Sequence, residues 1–151
     1  NPLIELTELN QFMMPEDMED LVKYNFTYVL DCIDSIQPKI ELITACKRHK
    51  IKFISAMGAG GKVNPAHIKI ADISDTKDCY FSRDIRKRLR RMNYNYGIKV
   101  VYSDEYVDKS KMELTEMGTM FKRSYYGTVS YMPAMFGMTM ASYVIRKIAN
   151  L

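Results

Sequence analysis

The stretch from Phe26 to Gly61, FTYVLDCIDSIQPKIELITACKRHKIKFISAMGAGG, decides the fold. It opens with a β-prone run, Phe26 to Leu30, that ends at Asp31. From Gln37 to Lys50 the pattern is helical, with Pro38 in the first turn and Ile40, Ile43 and Cys46 falling three apart. Its basic end, Lys47-Arg-His-Lys50, suits the negative pole of a helix dipole. Ile51 to Ala56 then reads as a second, buried strand. Strand, helix and strand in this order predict a βαβ unit, with parallel strands and a right-handed crossover.

Upstream, Ile4-Glu-Leu-Thr-Glu-Leu9 alternates apolar and polar residues and predicts a strand. Pro15 followed by Glu16, Asp17, Glu19 and Asp20 predicts a short helix with an acidic first turn. Downstream, Ile68 to Ile73 predicts a third strand and Gly97 to Tyr102 a fourth. Between them Ser82 is the expected cap of a helix running to about Met92. Ser103 to Ser130 has no clean period and reads as a long loop. Pro133 opens a closing helix with Phe136, Met140, Tyr143, Val144 and Ile148 on its apolar face.

At 151 residues, 47% of them hydrophobic and 26% charged, the chain is one domain with a real core rather than a disordered segment. The net charge of +4 is too mild to announce nucleic acid by itself. Tyr131 to Ile145, the longest apolar stretch, falls short of the ~20 residues that span a bilayer, so no membrane partner is expected. Cys32, Cys46 and Cys79 form no Cys-x-x-Cys pair, which disfavours zinc. Cys32 and Cys46 are expected as buried thiols, which suits a reducing, cytoplasmic setting. His49 and His67 show no ligand spacing, and no Gly-x-Ser-x-Gly supports a hydrolase triad.

Three constellations could carry chemistry. Asp31 and Asp34 lie where a parallel strand runs out, the end at which open α/β sheets gather ligands. A carboxylate there could hold Mg²⁺ beside a triphosphate; it could equally cap the next helix or satisfy loop amides. Gly58, Gly60 and Gly61 let backbone approach a ligand closely, or make a tight turn. Lys62-Val-Asn-Pro65 follows them instead of a helix, so they are not a dinucleotide fingerprint. In Ser82 to Arg91 the six basic residues Arg83, Arg86, Lys87, Arg88, Arg90 and Arg91 face the single acid Asp84. That stripe is either a phosphate-backbone footprint or a solvated face. Lys122 and Arg123 beside Tyr125 and Tyr126 could stack an RNA base or pack within the loop.

Tyr28 to Lys39, Phe53 to Gly61, Ile68 to Ile73 and Tyr131 to Ser142 together resemble the ThiF/MoeB superfamily of ubiquitin-activating-enzyme-like adenylyltransferases, over nearly the whole chain. Asp31-x-x-Asp34-Ser-x-x-Pro-Lys39 with Gly58-Ala-Gly-Gly61 is similar to its tRNA threonylcarbamoyladenosine dehydratase branch. The resemblance implies an α/β fold: a partial Rossmann-like, three-layer domain with a mixed sheet. It implies ATP and Mg²⁺, tRNA as partner and a homodimer. A carboxylate on a tRNA adenosine would be activated by adenylation, and an internal nitrogen would close a ring as AMP leaves. Asp34 carries over as the catalytic acid near the metal and phosphates, with Gly58, Gly60 and Gly61 beside the nucleotide and Asp31 structural. The superfamily's first nucleotide-binding half, with its glycine-rich loop, is not in this sequence. The expectation is therefore that residues 1–151 are the carboxy-terminal part of such a domain, inactive alone. The rival readings are activation of a sulfur-carrier protein's carboxyl terminus and a non-catalytic interaction module.

Overall fold

The computed structural model describes residues 2–108, 113–114 and 124–151. A 3₁₀ turn, Pro15–Asp17, leads into α1 (Met18–Val22), and the Asp17 carboxylate accepts from the Met14 amide at 2.7 Å. β1 (Val29–Asp31), α2 (Ile36–Arg48) and β2 (Phe53–Ala56) form the expected βαβ unit, with β1 and β2 parallel in the register Val29 to Phe53. β3 (Ile68–Asp72), α3 (Tyr80–Arg91) and β4 (Lys99–Ser103) follow. Glu113–Leu114 (β5) and Ser124–Tyr125 (β6) pair as a minimal antiparallel ribbon, and α4 (Tyr131–Ala149) closes the chain.

The main sheet runs β1-β2-β4-β3. β4 lies parallel to β2, while β3 runs antiparallel to β4, so the sheet is mixed as expected. Strand alternation sorts the core into two layers. Phe53, Met57, Val100 and Tyr102 pack with α1, α2 and α3 on one face. Ile54 and Val101 pack with Met132, Phe136, Met140 and Val144 of α4 on the other. Helices on both faces of a largely parallel sheet give the three-layer α/β architecture. α1 is tied to α2 at the surface, where Glu19 receives Arg48 and meets His49, each at 2.5 Å.

Several local expectations are corrected. Residues 4–9 form no strand, and Ile4, Leu6 and Leu9 are exposed. A strand exists through its partner's hydrogen bonds, and no described strand pairs with this segment. Ser82 does not cap α3: Cys79 is the cap, its Sγ accepting from the Ser82 amide at 3.5 Å, and Ser82 is buried in the first turn. Cys32 is exposed, because it follows the last paired residue of β1, whereas Cys46 is fully buried on α2. Ile148 is 55% exposed, since α4 there has passed the sheet it packs on. Part of the expected long loop is the β5–β6 ribbon, and Lys122 and Arg123 lie outside the described residues.

Candidate functional site

Beyond the carboxyl ends of β1 and β2 lies a cleft of about 420 Å³. Its size falls in the usual range for small-ligand sites. Asp34, Gly58 and Gly60 line it, so the two motifs chosen from the sequence do meet. The N-terminal turn of α3 contributes Cys79, Tyr80 and Phe81, α4 contributes Phe136 and Gly137, and Tyr126 and Thr128 border it from the segment after β6. Ile33, Ile36, Met57 and Val107 complete a mostly apolar wall.

The two aspartates of the strand-end motif have different fates. Asp31 is 2% exposed, and its Oδ2 receives Lys39 Nζ and Ser55 Oγ, both at 2.6 Å. Its Oδ1 accepts from the Ile33 amide at 2.9 Å. Asp31 therefore joins β1, β2 and α2 from inside. Asp34 lies past the strand, exposed on the cleft, with Ser35 Oγ donating to it at 3.4 Å.

The glycine loop is shaped by what packs on it. A Cβ on Gly60 would fall 2.8 Å from Tyr126 Cβ. One on Gly61 would fall 2.6 Å from Val107 Cγ1, and Gly61 has φ of +72°. Gly61, expected beside the nucleotide, is not part of the cleft lining; it donates its amide to the Gly127 carbonyl at 2.8 Å. These two glycines admit the neighbouring wall at close range.

Three cleft residues carry no sequence signal strong enough to single them out. Asp78 adds a second carboxylate to the lining. Cys79 adds a thiol at the start of α3. Lys62 is 3% exposed, and its Nζ donates to the Ser103 carbonyl at 2.8 Å and the Glu105 carbonyl at 2.7 Å. Burial pushes its ammonium below the ordinary lysine value, against the pull of Cys79, Glu105, Asp104 and Asp78. The one hint of it in the sequence is a lysine directly after the glycine run.

The basic stripe divides. Arg83, Lys87, Arg88, Arg90 and Arg91 are exposed on α3. Arg83 stacks over the Tyr80 ring at 5.0 Å, so the stripe begins at the cleft mouth. Arg86 is engaged inside the domain: its guanidinium donates to the Ile73 carbonyl at 3.1 Å, the Thr76 carbonyl at 3.0 Å and the Thr76 hydroxyl. No helix among the described residues is long and apolar enough to cross a membrane.

The chain is 32% identical to the tRNA threonylcarbamoyladenosine dehydratase of Haemophilus influenzae, an alignment covering 98% of the chain and 60% of that protein. It is 37% identical to the Bacillus subtilis enzyme of the same name, over 70% of the chain and 41% of that protein. Among solved structures, the Escherichia coli tRNA N6-threonylcarbamoyladenosine dehydratase in complex with ATP superposes with a TM-score of 0.83 at 25% identity, covering 99% of this chain and 59% of that one. The chain thus spans less than two thirds of the length of these relatives. The ThiF family model matches residues 1–151 from end to end. The chain belongs to the ThiF family.

Proposed function

We propose that this chain carries the sheet-end wall of an ATP-dependent tRNA-modifying enzyme that dehydrates and cyclises N6-threonylcarbamoyladenosine. The observation that carries the reading is the meeting of Asp34 with the Gly58 loop in one cleft, in a chain whose relatives bear that activity by name. ATP supplies the adenylyl group that turns the substrate's carboxylate oxygen into a leaving group. A Mg²⁺ ion would take Asp34 together with phosphate oxygens, the usual arrangement for this ion. Asp34 is thus the acid placed beside developing phosphate charge, and the apolar wall excludes water from the activated carboxyl.

The exposed arginines and lysine of α3 favour a nucleic-acid substrate over a sulfur-carrier protein. They lead away from the cleft mouth in a direction a polyanion could follow. The reading includes a homodimer: Met135, Met138, Ile145 and Ile148 form one exposed apolar stripe on α4 that self-association would cover. The test is incubation of the whole protein carrying this chain with ATP, Mg²⁺ and threonylcarbamoylated tRNA, followed by mass spectrometry of the nucleosides. Loss of one water from the modified adenosine is expected. Unchanged nucleoside with a folded protein overturns the reading.

A further inference from the structure

Among the described residues two lysines are withdrawn from solvent, and only one of them has a counter-ion there. Lys39 is paired with Asp31 at 2.6 Å. Lys62 has no ion pair among the described residues: both its hydrogen bonds go to backbone carbonyls. The Glu105 carboxylate, the acid nearest in sequence to those carbonyls, is spent on the Val63 and Asn64 amides, each accepted at 2.9 Å. Carbonyl dipoles solvate an ammonium without neutralising it, and buried lysines are ordinarily paired. An ammonium has three donors, so one remains after the two carbonyls are served. Lys62 is also a lining residue of the cleft. Glu105, Asp104 and Asp78 draw on its charge from nearby without pairing with it, so Lys62 gives the cleft lining a cation with one donor to spare for an anion.

The rest of the lining says which anion. Tyr80, Phe81 and Tyr126 give the same cleft three aromatic rings. The Lys39 ammonium stands 5.9 Å from the centre of the Phe81 ring. Aromatic walls of this kind take an unstacked nucleobase. Asp34, in contrast, brings negative charge, which suits the metal and phosphate side. We propose that the cleft receives the modified adenine itself, flipped from the tRNA, with Lys62 binding the free carboxylate of its N6 side chain. This rests on the function proposed above and assigns the substrate's two ends within that site.

The probes are the nucleosides N6-threonylcarbamoyladenosine and adenosine, titrated by calorimetry into the whole protein carrying this chain and into its Lys62→Met and Lys62→Arg variants. The parent is expected to prefer the carboxylate-bearing nucleoside by roughly 10- to 100-fold, the worth of one hydrogen bond to a charged group. Lys62→Met should bind both nucleosides alike, with adenosine affinity unchanged as proof of an intact cleft. Lys62→Arg should keep part of the preference. A parent that shows no preference, while it still dehydrates the nucleoside in tRNA, overturns this assignment and leaves the substrate reading standing; no preference together with unchanged tRNA nucleoside overturns both. A preference that survives in Lys62→Met overturns the role of Lys62 alone. The same holds if inorganic pyrophosphate, rather than the nucleoside carboxylate, loses affinity in Lys62→Met, for Lys62 would then serve the phosphate side.

Discussion

The Lys39 ammonium sits 2.6 Å from the Asp31 carboxylate with both side chains withdrawn from solvent. Ser55 Oγ completes the group, donating to Asp31 at 2.6 Å and accepting from Lys39 at 3.1 Å. One ion pair thus links β1, β2 and α2, the unit that places the cleft. Removing one member of a buried pair leaves the other charge uncompensated, at a cost of about 3–5 kcal/mol. Asp31→Ala should lower the melting temperature by on the order of 10 °C. Asp31→Leu combined with Lys39→Met should recover much of that loss. Calorimetric melting of the three variants measures both effects.

Asp34 should behave in the opposite way. It is exposed on the cleft, so Asp34→Asn is expected to leave the melting temperature nearly unchanged. Turnover in the whole protein should fall by roughly 10²-fold or more, the usual consequence of removing a charge that holds a metal-bound phosphate. Near-parental rates at saturating Mg²⁺ would remove Asp34 from the mechanism.

Gly61 should tolerate no side chain. Its φ of +72° is unfavourable for alanine, and the added Cβ would meet Val107 Cγ1 at 2.6 Å. Gly61→Ala should cost about 1–3 kcal/mol or more in urea unfolding. Gly58→Ala should be milder, because its Cβ would stand 3.2 Å from Phe81 Cβ and its backbone needs no positive φ. Equal losses at the two positions would contradict this packing account.

Asp72 should contribute an acid-sensitive share of stability. Burial alone would raise its pKa, but the Ser74 amide and hydroxyl and the Ile98 and Gly97 amides hold it below 3.8. A depressed carboxyl stabilises the fold above its unfolded value and loses that contribution as pH falls through the folded value. Urea midpoints should therefore drop for the parent below about pH 3.8. Asp72→Asn should be weaker at neutral pH and lack this part of the acid dependence.

The α3 stripe predicts a split between binding and stability. Reversing Arg83, Lys87 and Arg90 to Glu should weaken tRNA binding and lower the slope of log affinity against log salt by about 0.7–0.9 for each phosphate no longer neutralised. Folding should be nearly unaffected, since exposed charges contribute little. Arg86→Ala should show mainly as a lower melting temperature, because it frees the Ile73 and Thr76 carbonyls. Filter binding at several salt concentrations with parallel melts separates the two. Identical salt slopes for parent and triple variant would make the stripe a solvated face.

Local pattern alone determined the βαβ unit, the span of α2, the basic face of α3 and the family resemblance, because periodicity and short motifs act within a few residues of chain. Interactions across the chain decided the rest. Asp31 and Asp34 share one motif, yet only the approach of Lys39 and Ser55 buries the first and leaves the second on the cleft. Residues 4–9 alternate as a strand does, but pairing is not a local property, and no described strand meets them. Cys79 displaced Ser82 as the cap of α3 because the turn beyond Thr76 brings its sulfur over the first amides of the helix. Lys62 became a buried ammonium only because the end of β4, separated from it by 41 residues at Ser103, folds back over the glycine loop. Burial and charge compensation are set by which distant groups arrive at the same place, and that is information the tertiary structure holds.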